Sequence, residues 1–233
     1  MLCVDIYLVS LMMELSIRPF EVPMSSEQFP AEPVQKRSID KKNRIIHAGF
    51  DLFCTKGYNR TNTAEIAKHA SVSTGIVYRY FKDKREIFIA SLPLYFERVN
   101  SMLFSYISTI TPPIDLPTVL DRVLDIVVES HTGSAFAFSE IMALSYTDPQ
   151  IMEFLDTSYE KMNQSLVTVF VRYGIATDHM NERVHLIMDI IENYSHEVAF
   201  KKVERLDYQA LKKLVIQMIL SLVTPDGLKK QNA

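Results

Sequence analysis

The chain has 233 residues, 48% hydrophobic, 10% aromatic and 23% charged, a globular mixture with room for one larger domain or two small ones. Long segments repeat apolar residues at three and four and β-type alternation is rare, which excludes a strand-built fold and gives an all-α class. A formal net charge of -3 and two cysteines exclude a chain that is basic throughout and a disulfide framework, and the low cysteine count suits a reducing cytoplasm.

The first residues, "MLCVDIYLVSLMMELSIRPF", resemble a signal peptide only faintly. They lack a basic leader, and Asp5 and Glu14 flank a short apolar run with no small-residue cleavage site after it. No stretch of 18 or more uncharged apolar residues exists, so no membrane span is expected. Met24 opens the polar, proline-containing "MSSEQFPAEPVQKRS". Residues 1–35 are therefore expected to be a flexible extension, with Met24 as the expected true start.

A first helix is predicted over about 40–55, with Ile45, Ile46, Gly49, Leu52 and Phe53 as its buried stripe and Cys54 as a small buried hydrophobe. Lys41, Lys42 and Arg44 fall at its predicted start, against the helix dipole, so a nearby phosphate is the expected compensation. Gly57 is placed as its C-terminal cap. Thr63 is expected to cap a short second helix, and Ser73 a third that runs from Thr74 to about Phe81. Asp83 with Glu86 three residues on reads as a capping box that opens a fourth. Two short helices joined by a three-residue turn, behind a longer one, describe a helix-turn-helix unit. Charge is concentrated there: residues 36–90 hold twelve Lys/Arg against five Asp/Glu, giving +7, while residues 1–35 carry -4 and residues 91–233 carry -6. A basic block on an acidic body is the footprint of polyanion binding.

The stretch "RIIHAGFDLFCTKGYNRTNTAEIAKHASVSTGIVYRYFKDKREIF" resembles the N-terminal domain of the TetR/AcrR transcriptional regulators. The likeness lies in the helix ending "LFCTKGY", the Thr63 cap, "IAKHASVSTG" and "VYRYFKDKREIF", and it covers about fifty residues. The remainder matches only in length and helical character. One departure is Ser71, where the family usually has glycine; a positive φ there would strain a serine. The resemblance implies an all-α chain of about nine helices in two domains. One is a three-helix DNA-binding domain at 36–90; the other is a ligand-binding and dimerisation domain at 91–225, followed by a flexible tail at 226–233. It further implies a cytoplasmic homodimer without a cofactor, a repressor released from a palindromic DNA operator by a small, largely apolar effector. An activator of the same fold is the alternative.

On the third helix, Val77 and Phe81 fall on one side, i to i+4, and with Val72 are expected to pack on the first helix. Gly75 and Arg79 fall opposite. Gly75 lets a helix approach a groove closely, and Arg79 can make two parallel hydrogen bonds to a guanine. Thr74 and Ile76 suit contact with bases or a thymine methyl, and Tyr78 and Tyr80 can donate hydroxyls to phosphate. Tyr80 suits the core equally by its angle. Ser73 completes the set at the helix start. By resemblance, Thr63 and Lys84 contact the DNA backbone from helix N-termini.

The fourth helix is expected to run to about 108 with a kink at Pro93. After the loop "TPPIDLP", helices are predicted at about 117–131, 134–146, 149–173, 179–203 and 207–223, with Asp148-Pro149 as cap and first helical residue of the third of these. The aromatics and methionines Phe96, Met102, Phe138, Met142, Tyr159 and Met162 are each core-like singly, and together fit an apolar cavity with His131, Glu140 and Tyr146 as polar handles. On the last two helices, Val184, Ile187 and Ile191, then Leu211, Leu214, Val215, Met218 and Leu222, form apolar stripes. By resemblance they make the dimer interface; otherwise they close the chain's own core. The histidines show no metal-ligand spacing, and no nucleophile–base pair, glycine-rich phosphate loop or inward carboxylate pair points to an enzyme.

Overall fold

The computed structural model of the chain describes residues 32–111, 114–133, 135–172, 178–200 and 203–223. The expectations for residues 1–31, including a start at Met24, and for a tail at 226–233 lie outside the described residues. Among the described residues all regular structure is helical: α1 (Glu32–Lys56), α2 (Thr63–His69), α3 (Thr74–Tyr80), α4 (Lys84–Ile107), α5 (Leu116–Gly133), α6 (Ala135–Ser145), α7 (Pro149–Arg172), α8 (Met180–Phe200) and α9 (Tyr208–Val223).

From α2 onward the ends lie within three residues of the expected positions. The exception is α1, which starts at Glu32 rather than near residue 40. Pro33 does not prevent this, because the N–H it lacks is one of the unpaired donors of any first turn. Lys41, Lys42 and Arg44 are therefore mid-helix, and the dipole argument for a compensating phosphate does not apply to them. Helix α4 continues through Pro93 without interruption.

The described residues divide into two compact units, the first spanning 32–100, 133 and 135–152. In it α1 packs on α2, α3 and α6. Ile45, Phe53, Ile66, Val77, Ile87 and Phe88 are among its most buried side chains, each contributing about 1.5–3 kcal/mol by leaving water. Phe88 meets Phe53 edge-on at 5.1 Å and Tyr58 at 4.9 Å. Gly49 lets α1 lie against α4: a Cβ there would stand 2.6 Å from Ile87 Cγ2. Cys54 is buried, as a small hydrophobe would be. Gly57 ends α1 at φ +88°, a conformation glycine adopts without strain.

The second unit spans 101–111, 114–132, 153–172, 178–200 and 203–223 among the described residues. Helices α8 and α9 pack together there. Leu124, Ile187, Tyr194, Val215 and Ile219 form the main core cluster, and Met180 and Val184 a second. Lys212 is buried on α9 and reaches both Asp121 and Asp125 of α5 at 2.8 Å. Arg183 donates to the Leu222 carbonyl at 2.8 Å, near the C-terminal end of α9 where a cation is favoured.

Candidate nucleic-acid interface

The second and third helices are set by their caps. Asn62, rather than Thr63, caps α2: its side chain accepts from the Glu65 amide at 2.9 Å. Thr63 is the first helical residue. The pattern Asn-x-x-Glu carried this signal, but the neighbouring threonine masked it. The end of α2 is a Schellman turn, with Val72 N–H on the Ala67 carbonyl at 2.9 Å and Ser71 N–H on the Lys68 carbonyl at 3.1 Å. Ser71 occupies its left-handed position with φ 53°. That is the conformation for which glycine is the unstrained choice.

Arg44 braces this turn. Its guanidinium donates from Nε to the Ala70 carbonyl at 3.1 Å, and from Nη2 to the Ala70 and Ser71 carbonyls, the last at 2.9 Å. Sequence reading placed Arg44 among cations awaiting phosphate; here it serves the fold. Lys42 lies 5.8 Å from the centre of the Phe81 ring.

Ser73 stands at the cap position of α3 with extended backbone, but its hydroxyl makes no capping bond; its carbonyl instead accepts from Ile76 and Val77. Val77 and Phe81 are buried, as expected, and Val72 is half-buried. Ser73, Thr74, Gly75, Tyr78 and Arg79 are exposed, with Ile76 between. A Cβ on Gly75 would meet only Ser73 Oγ, at 4.0 Å. Gly49 is glycine for a packing reason; among the described residues Gly75 has none.

The two tyrosines part company. Tyr78 is 55% exposed, and its hydroxyl lies 3.0 Å from that of Thr63, so α3 and α2 present a joined hydroxyl pair. Tyr80 turns inward and places its hydroxyl 2.9 Å from Ser38 of α1. Of the two destinations that its angle allows, this is the inward one, and the two additional turns of α1 supply its partner.

Beside this face, Thr61, Asn62, Thr63, Tyr78, Lys82 and Lys84 line an open cleft of about 350 Å³, with Asp83 at the N-terminus of α4. Lys82, exposed, was not singled out in the sequence. Lys84 does not project freely. Its ammonium donates to the Tyr58 carbonyl and sits 4.1 Å above the Tyr58 ring, and burial draws its pKa below the usual lysine range, opposed by the Glu140 carboxylate. Asp83 accepts from the Glu86 amide at 2.9 Å, while the Glu86 side chain accepts from Lys82 N–H at 2.6 Å, one residue earlier than a capping box would have it.

The other expected site residues are divided between the two units. Phe96, Phe138, Glu140, Met142 and Tyr146 belong to the first unit; Met102, His131, Tyr159 and Met162 belong to the second. Glu140 accepts from the amides of Tyr58 and Asn59, sealing the turn after α1. Tyr146 is 77% exposed. The Phe138 side chain lies outside the described residues. His131 is buried, donating Nδ1–H to the Val127 carbonyl at 2.8 Å with Nε2 3.1 Å from Glu192. Burial lowers its pKa, but the Glu192 carboxylate and that carbonyl together raise it above the ordinary value. Burial, with Glu192 and Asp189 nearby, pushes the Tyr159 hydroxyl up.

Of the apolar residues expected at an interface between subunits, Val184 (0% exposed), Ile187 and Val215 are buried in the chain's own core. Ile191, Leu211 and Leu222 are half-buried. Leu214 and Met218, four apart on α9, are 57% and 52% exposed, and Leu186 on α8 is exposed as well.

Residues 45–91 match the family model of bacterial regulatory proteins of the tetR family. The chain is 25% identical over 187 residues, 80% of each chain, to the HTH-type transcriptional regulator HbdR of Aromatoleum sp.. A further match, 33% over 66 residues, is to the regulator YuxN of Bacillus subtilis, covering 28% of this chain and 23% of that one. Among solved structures, a putative TetR-family transcriptional regulator from Mesorhizobium loti superposes with a TM-score of 0.62 at 21% identity, covering 80% of this chain and 96% of that one. These relatives are regulators, not enzymes, and no helix among the described residues is long and apolar enough to cross a membrane.

Proposed function

We propose that this chain, which belongs by its DNA-binding head to the tetR family of bacterial regulatory proteins, is a cytoplasmic homodimeric repressor that leaves a palindromic operator when a small, largely apolar effector binds its body. The observation that carries the reading is the open face of Gly75. Glycine in a helix costs roughly 0.5–1 kcal/mol against alanine, and nothing among the described residues requires it here. A major-groove floor does, because it must come within contact of the helix backbone. Arg79 follows one turn later and suits bidentate readout of guanine. Thr74 and Ile76 flank it for base contact, and Tyr78, Thr63 and Lys82 suit the phosphates beside the groove.

Leu214 and Met218 support a dimer: two large apolar side chains exposed four residues apart gain by burial against a second copy, and a two-fold pair of heads fits two half-sites. His131, Glu192 and Tyr159 offer polar groups to such an effector. An effector shifts the equilibrium only by its differential affinity for the bound and released states. Selection from a random duplex pool followed by footprinting tests the reading. One protected palindrome supports it; diffuse protection without a selected sequence overturns it.

A further inference from the structure

The turn between α2 and α3 contains a serine in a conformation that favours glycine, and an arginine from α1 bonded to the two carbonyls next to it. These observations belong together. At φ 53° Ser71 holds its Cβ against its own backbone. The Schellman bonds at Ser71 and Val72 use the N–H groups of the turn but leave the Ala70 and Ser71 carbonyls without an amide donor among the bonds that shape it. The planar guanidinium of Arg44 supplies that donor to both, from a helix that also carries the buried Ile45 and the Ser38 partner of Tyr80. Ser71 is followed immediately by the Val72-Ser73 entry to α3, so the direction in which the chain leaves the turn sets the direction of α3.

We infer that Arg44 is a positioning residue for sequence readout: by holding the Ala70 and Ser71 carbonyls it keeps the serine turn in its left-handed form and fixes the angle at which α3 presents Gly75 and Arg79 to the groove. The guanidinium is spent on carbonyls, so it acts through α3 and not by pairing with phosphate. Lysine cannot replace it, because a single ammonium lacks the fork that spans two carbonyl oxygens. The inference rests on the DNA-binding reading above.

The test uses the full chain with two probes: the duplex that the wild type selects from a random pool, and a random-sequence duplex of the same length. Arg44→Lys, Arg44→Ala, Ser71→Gly and the double variant Arg44→Lys/Ser71→Gly are compared for affinity, salt dependence and melting temperature. Arg44→Lys is expected to lower the preference for the selected duplex about tenfold. Its salt slope on the random duplex should be unchanged, whereas a lost phosphate contact lowers that slope by about 0.9. Glycine needs no brace at positive φ, so Ser71→Gly should restore at least threefold of the preference in the Arg44→Lys background and change it less than twofold in the wild type. Should Arg44→Ala fail to fold, Arg44→Lys still decides. Equal loss on both duplexes, a lower salt slope, or no rescue by glycine overturns the inference. A wild type that selects no sequence overturns the reading beneath it instead.

Discussion

Gly75 and Arg79 stand one helical turn apart on the exposed side of α3, and a Cβ built on Gly75 would find nothing nearer than Ser73 Oγ at 4.0 Å. The pair joins a bare patch of backbone to a planar cation within one turn. Arg79→Ala is expected to remove discrimination between the selected duplex and one substituted at the guanine it reads, a loss of about 1–3 kcal/mol. Weak, salt-sensitive binding to any duplex should remain. Competition binding between the two duplexes checks this, and unchanged discrimination would take Arg79 out of the readout.

Tyr80 and Tyr78 separate a structural hydroxyl from an interfacial one. Tyr80→Phe removes the bond to Ser38 and should cost about 0.5–1.5 kcal/mol of stability, with the salt dependence of DNA binding unaltered. Tyr78→Phe should do little to stability and weaken binding to every duplex alike. Denaturant unfolding together with salt titration separates the two. A lower salt slope for Tyr80→Phe would return its hydroxyl to phosphate.

His131 makes the second unit sensitive to pH. Both ring nitrogens face acceptors, the Val127 carbonyl and the Glu192 carboxylate, so both bonds require the cation. Its folded pKa is raised above the unfolded value. The stability it contributes is therefore fully present below about pH 6.5, the ordinary histidine value, and is lost as pH rises through the folded pKa. Tyr159 lies near the same carboxylate, and burial, with Glu192 and Asp189 nearby, keeps its raised hydroxyl neutral through that window. Melting temperature should fall across it in the wild type and stay flatter in Glu192→Gln. Parallel curves for the two proteins would show that the pair is not formed.

Leu214 and Met218 should hold the dimer. Replacing both by glutamate is expected to leave helicity unchanged, because both are exposed in the chain itself, and to give a monomer by sedimentation. The monomer should bind the full palindrome no better than a half-site. A dimer of undiminished stability would place the contact on another face.

The helix-turn-helix was legible because its signals are local: Asp83 and Glu86 at a cap, Gly57 at a helix end, Val77 and Phe81 one turn apart. Residues that depend on a distant partner were not. Tyr80 sits at an angle that suits two destinations, and only the earlier start of α1 supplies Ser38. Arg44 reads as a free cation until α2 brings the Ala70 carbonyl to it, 26 positions along the chain. Lys84 reads as a phosphate contact, yet the Tyr58 carbonyl and ring hold it. For α8 and α9 the apolar periodicity is real, but periodicity does not say whether a stripe meets its own chain or another. Val184 and Val215 meet their own; Leu214 and Met218 are left outside.

The claim that α3 lies against the floor of a major groove is tested most directly at Gly75. Gly75→Ala should be measured for melting temperature and for affinity to the selected duplex. With open space around the new methyl group and alanine the better helix former, the fold should be as stable as the wild type or more so, while affinity for the selected duplex falls about tenfold or more. Affinity within twofold of the wild type would contradict the account, since it would mean that nothing approaches the helix at that point.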